Sequence, residues 1–336
     1  MPGGASGPLD RARRLVAGDR VGIVAPAGPV PGGLLAEGVE VLRGWGLEPV
    51  LAPHVLDAHP SGYLAGADLA RAADLGAFWS DPSLAAVLCA RGGYGTQRMA
   101  DLLDWDAMAR AEPKVFVGFS DITVLHEAFA TRLSVATLHG PMPGTPAFLS
   151  DPAGREHLRR TLFAPQETQV LRAVPPGEPT AGVAGRDAAP GAVPASAPQG
   201  CALVPGRATG VTMGGCLSLL ASDLGTRSGR PSAAGGIVLL EDTGEEPYRL
   251  DRYLTQLLRS GWLDGVAGIA AGSWEGCGPY ADVRALLLDR LAPLGVPVLE
   301  GLPFGHGTPA LTVPLGAAAT LDAGAGTLTL HAPALR

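Results

Sequence analysis

At 336 residues the chain is long enough for two compact domains of about 100–200 residues each. Its 46% hydrophobic and 17% charged residues supply packed cores and exclude wholesale disorder. The formal net charge of -7, with Lys114 the sole lysine and no basic block, argues against nonspecific binding to nucleic acid or an anionic membrane surface.

The four cysteines (Cys89, Cys201, Cys216 and Cys277) form no CxxC pair and have no histidine at ligand spacing, so neither a zinc site nor a disulfide framework is expected. The opening MPGGASGPLDRARRL lacks the apolar core of a signal peptide, and no apolar run approaches the ~20 residues of a membrane span. The expectation is a cytoplasmic protein with no membrane partner.

The first half alternates apolar runs with amphipathic stretches. Strands are predicted over Val21–Ala25, Pro49–Leu51, Ala85–Ala90, Val115–Gly118 and Val135–Leu138, with helices over Leu34–Gly44, Asp68–Trp79, Gln97–Leu103 and Ile122–Arg132. This alternation predicts βαβ units around a parallel sheet, whose ligands bind beyond the carboxyl ends of the strands. The loops after Ala25, Ala90 and Gly118 are therefore where a site is sought. From 164 to 205 periodicity dissolves into Pro, Ala, Gly and Val, as in a linker or long loop. Strands resume over Arg207–Val211, Ile237–Glu241, Val266–Ala271, Val298–Glu300 and the alternating tail Ala318–His331, with helices over Cys216–Ser222, Arg249–Ser260 and Val283–Leu291. The reading is an N-terminal α/β domain over 1–163, a Pro/Ala-rich linker over 164–205, and a smaller mixed α/β domain over 206–336.

Four segments could carry chemistry. In VFVGFSDITVLH an apolar strand ends at Gly118, a turn holds Ser120, and a helical pattern begins at Ile122. Such a strand–turn–helix lifts a serine hydroxyl off the sheet and aims the next N–H, that of Asp121, at a developing oxyanion. Ser and Asp before an apolar run also fit plain helix capping. CARGGYGT follows another strand, and the N–H groups of Gly92 and Gly93 suit an anion, though a tight turn fits equally. Its spacing matches neither a dinucleotide fingerprint nor a P-loop.

IVLLEDTGEE runs a buried-looking strand into Glu241, a rigid place from which to orient an imidazole. The acids 241, 242, 245 and 246 fit a solvated loop or a helix start as well. Among the seven histidines, His306 stands in the Gly/Pro-crowded loop GLPFGHGTP, His126 is expected on a helix surface, and His139, ending a strand in LHGPM, is a rival base.

Taken in order, GIVAPAGPV, ARGGYGT, VFVGFSDITVLH, LHGPM, TMGGCLSLLASDLGT, LLEDTGEEPYRLDRYLTQL, GSWEGC and GLPFGHG resemble the LD-carboxypeptidase family of serine peptidases. The resemblance implies a Rossmann-like N-terminal domain, a smaller C-terminal domain of mixed strands and helices, and a site in the cleft between them. It assigns the nucleophile to Ser120, the carboxylate to Glu241 and the base to His306. No metal and no cofactor are called for. The partner implied is a small peptide substrate, either a murein tetrapeptide losing its terminal D-Ala or a microcin C-type peptidyl nucleotide, and a homodimer is the assembly considered.

Arg91 and Arg249 are candidates for the substrate's free carboxylate, for which an arginine fork is the usual device. Where the family usually reads GGNL, this chain has Gly214, Gly215, Cys216 and Leu217, so a hydrogen bond made by that asparagine is in doubt. A non-catalytic peptide-binding protein on the same fold is the alternative of another class.

Overall fold

The computed structural model describes residues 7–175 and 201–336. Its strands, in chain order, are β1 (Arg20–Val24), β2 (Glu48–Leu51), β3 (Ala86–Cys89), β4 (Val115–Gly118), β5 (Thr137–His139), β6 (Gln169–Arg172), β7 (Ala202–Val204), β8 (Arg207–Cys216), β9 (Gly236–Thr243), β10 (Gly268–Glu275), β11 (Val298–Leu299), β12 (Val313–Leu315), β13 (Ala318–Asp322) and β14 (Thr327–Leu330).

They form two sheets. The first runs β12-β5-β4-β3-β1-β2, parallel throughout except for β12. Residues of β3 and β4 are buried on both faces, which is why AVLC and VFVG read as unbroken apolar runs. The order 2-1-3-4-5 places the reversal of the doubly wound sheet between β1 and β3. The loops that follow these strands therefore open a crevice, and Ser120 follows β4 next door.

The second sheet runs β6-β14-β13-β8-β9-β10-β11-β7, with a parallel centre from β8 to β11. The helix Pro247–Arg259 covers one face, burying Leu250, Leu254 and Leu257 at helical spacing. Mixed α/β architecture with a parallel sheet and a second, mixed sheet is as the sequence led one to expect.

The partition along the chain is less simple than three consecutive intervals. Val313–Leu315, read as part of the second unit, pairs antiparallel with β5 and covers the edge of the first sheet, with Pro314 on the edge strand where a missing N–H is tolerated. The C-terminal Ala334 and Leu335 pack into the first core. At the flanks of the expected linker, Gln169–Arg172 and Ala202–Val204 are strands of the second sheet. Residues 176–200, the rest of that expectation, lie outside the described residues.

Candidate active site

Ser120 opens the short 3-10 turn Ser120–Ile122 that leads into the helix Thr123–Ala128. Its φ is +64°, a left-handed conformation that costs a non-glycine residue on the order of 1–3 kcal/mol. The surrounding contacts hold it there. Gly92 lies so close that a Cβ built on it would stand 2.9 Å from the Ser120 Cβ and 3.1 Å from its Oγ. Only a residue without a side chain fits between the two loops. The Gly28 N–H donates to the Gly92 carbonyl at 3.1 Å, which joins the loops after β1 and β3. All three loops singled out from the strand ends thus converge.

Asp121 fastens the same assembly. Its buried carboxylate accepts the Thr96 N–H at 2.9 Å, and its carbonyl accepts the Thr96 hydroxyl at 2.7 Å. Burial raises this carboxyl to about 6, with the Thr96 bonds pulling the other way. Gly93, at φ +115°, completes the turn. Arg91 is half-buried and donates to the carbonyls of Pro29 at 3.0 Å and Gly92 at 3.3 Å.

From the second sheet, β9 delivers Glu241 fully buried. Its Oε2 lies 2.6 Å from Nδ1 of His306, whose side chain is 19% exposed. Burial pushes the Glu241 carboxyl up, but the nearby imidazoles of His139 and His306 outweigh this and leave it at about 2. For His306 burial works downward, and the Glu241 bond and charge, helped by Asp242 and Glu275, prevail and raise it. The Phe119 ring, one residue before Ser120, lies 4.9 Å from the His306 ring. Side chains from both sheets therefore meet at one place. Glu241 and Asp242 are buried, so the acidic stretch is not a wholly solvated loop.

The sheets are fastened by backbone. Gly215 (φ +143°) lies against Thr123, whose Oγ1 accepts the Cys216 N–H at 3.0 Å, while Glu127 accepts the Gly214 N–H at 2.9 Å. Cys216 thus meets the serine-bearing helix through its N–H, a contact indifferent to the side chain at that position. Its Sγ instead faces Asp242 Oδ1 at 3.3 Å, and burial raises this thiol well above its ordinary range.

Two expectations need revision. His126 is buried rather than on a helix surface, because its helix lies between the sheets. Its Nε2 donates to the Gly118 carbonyl at 2.9 Å and its Nδ1 lies 2.8 Å from the Thr137 hydroxyl. Burial, then the nearby His139, lowers it to about 3. His139 is 1% exposed and points its Nε2 at Glu241 Oε1, 3.8 Å away, rather than standing open as a base. Arg249 is exposed, beside Glu245 at 3.6 Å and Tyr248 at 3.3 Å. Thr123, within VFVGFSDITVLH, and Glu127, the residue after it, bind the two sheets together and carried no signal of their own in the sequence.

Residues 21–140 match the LD-carboxypeptidase N-terminal domain, and residues 209–321 the LD-carboxypeptidase C-terminal domain. The chain is 60% identical to a putative carboxypeptidase of Streptomyces coelicolor, over 97% of this chain and 98% of that one. It is 32% identical to the murein tetrapeptide carboxypeptidase of Pseudomonas aeruginosa, over 90% and 93%. A solved muramoyltetrapeptide carboxypeptidase from Oxalobacter formigenes superposes with a TM-score of 0.74 at 29% identity, covering 93% of this chain and 97% of its own. A microcin C7 self-immunity protein in complex with aspartyl sulfamoyl adenosine superposes at 0.79 with 21% identity, covering 97% and 100%, a likeness of fold. Among the described residues no helix is long and apolar enough to cross a membrane.

Proposed function

The chain belongs to the LD-carboxypeptidase family, and from that premise we propose that it cleaves a peptide bond by acyl transfer through Ser120, His306 and Glu241. His306 takes the Ser120 proton as the hydroxyl attacks the scissile carbonyl, then returns it to the leaving amine. Glu241 keeps the proton of the neutral ring on Nδ1 and stabilises the imidazolium. The backbone N–H groups of Asp121, Gly92 and Gly93 receive the oxyanion. Water hydrolyses the acyl-enzyme by the same route. The observation that carries this reading is the 2.6 Å His306–Glu241 hydrogen bond, with the His306 ring 4.9 Å from that of Phe119, the residue before a serine held at φ +64°.

The substrate proposed is a murein tetrapeptide, losing its terminal D-Ala in the cytoplasm during cell-wall recycling. The names of the Pseudomonas and Oxalobacter relatives support it. Arg91 is the better placed of the two arginines for the terminal carboxylate, since it adjoins Gly92, which lies against Ser120. The peptidyl-nucleotide alternative asks for an aromatic platform under the base, and residues 164–205 contain no Phe, Tyr or Trp.

The test is mass spectrometry of products from murein tetrapeptide and from an aspartyl sulfamoyl adenosine, with wild type and Ser120→Ala. Release of D-Ala from the tetrapeptide, abolished in Ser120→Ala without loss of fold, is expected. Cleavage of the nucleotide alone would move the assignment to the alternative, and an active Ser120→Ala would remove the serine mechanism.

A further inference from the structure

Glu241 has two carboxylate oxygens, and His306 uses one of them. The other, Oε1, faces His139 Nε2 across 3.8 Å. Both atoms are sealed from solvent and neither has a hydrogen-bond partner. A buried carboxylate oxygen opposite an equally buried ring nitrogen is a donor–acceptor pair short of contact, because each atom left alone forfeits its hydration. Catalytic hydrogen bonds are often long before substrate binds and tighten in the complex.

The ring is held for that purpose. His139 ends β5, in register with Gly118 on one side and Val313 on the other. Phe119 lies against it at 5.6 Å and Phe304 edge-on at 5.7 Å. His126, the nearest other imidazole at 6.3 Å, is already engaged by Gly118 and Thr137 and is not a donor to Glu241. The titratable groups that act on the pair are thus His126 and His306, with Asp242 beside Glu241 in the chain and Glu275 acting on His306.

We propose that His139 is a positioning residue of the hydrolytic site: its Nε2–H is the second donor to Glu241, fixing the carboxylate so that Oε2 stays on His306. The proposal rests on the Ser120–His306–Glu241 reading. It gives the two imidazoles different tasks, since His306 is 19% exposed and can meet substrate, whereas His139 at 1% cannot.

The test compares His139→Phe, which keeps a ring and removes the donor, with His139→Gln, whose amide N–H can reach the same oxygen. In His139→Phe kcat should fall about 30- to 100-fold with KM changed by less than about twofold, as expected when a catalytic group drifts by a fraction of an ångström. His139→Gln should recover to within about fivefold of wild type. Ser120→Ala and His306→Ala run alongside, and if either retains activity it is the triad reading that fails. If both are inactive while His139→Phe keeps kcat within about threefold, or Phe and Gln are equally impaired, the positioning role is overturned. Nitrogen-15 NMR of histidine-labelled wild type decides independently of any variant: a proton on His139 Nε2 is expected, and a bare Nε2 would sink the proposal.

Discussion

Replacing Glu241 by Gln is the sharpest probe of the site, because it changes charge and almost nothing else. The folded protein holds this carboxyl at about 2 against an ordinary 4.5. At about 1.36 kcal/mol for each tenfold in acidity, the ionised form gains roughly 3 kcal/mol over the neutral one on folding. A depressed acid contributes stability above its unfolded value and loses it as pH falls toward the folded value. At pH 7 the contribution is fully present. Glutamine mimics the protonated acid, so Glu241→Gln should lower stability by about 3 kcal/mol at pH 7, several degrees in Tm, and by progressively less as the pH drops below 4.5. The same change removes the partner that fixes the His306 tautomer, for which about a 10³- to 10⁴-fold loss in kcat is the usual scale. The assays are steady-state release of D-Ala and thermal melts at pH 7 and about pH 3, where less than half of the contribution remains. A variant keeping more than about a tenth of wild-type kcat, or equally destabilised at both pH values, would refute the reasoning.

Three further outcomes follow. Gly92→Ala puts a methyl 2.9 Å from the Ser120 Cβ, where carbons normally keep about 3.5–4.0 Å, so Ser120 must shift by roughly half an ångström. About a tenfold fall in kcat should result with little change in the melt, and unaltered turnover would show that the turn gives way freely. Because His306 is raised above 6.5 and must be neutral to accept a proton, kcat/KM should decline on the acid side with a midpoint above 6.5; a midpoint at or below that value contradicts the Glu241 pairing. Among the described residues no three His, Cys, Asp or Glu side chains cluster as metal ligands. Because the nucleophile proposed is the Ser120 hydroxyl, turnover is expected to survive EDTA, and a phosphonate reagent to label Ser120; loss on chelation restored by zinc would overturn the serine mechanism.

Short-range regularities gave much of this protein away before any coordinates. Val115–Gly118 reads as a strand because an inner parallel strand is apolar on both faces, and the turn after it is marked by the change of period. The loops after β1, β3 and β4 were legible as a ligand region because strand–helix alternation permits few topologies. Ser120, Glu241 and His306 each stood out locally, but each also fitted a plain structural role, and their order along the family's motifs was what joined them. Position 241 lies 121 residues from position 120, and nothing in a one-dimensional pattern reports that separation closing.

What the sequence determined by itself was therefore the set of elements and the chemistry available at their ends. What tertiary structure alone decided was who faces whom. Burial of the helix between the sheets turned His126 from a surface residue into a satisfied interior one. Return of Val313–Leu315 to the first sheet, beside β5, set His139 among aromatic rings and opposite the second oxygen of Glu241. The physical reason is the same in each case. Periodicity records whether a side chain is buried by its own element, whereas desolvation, pairing and tautomer depend on groups that other elements bring in when the chain folds.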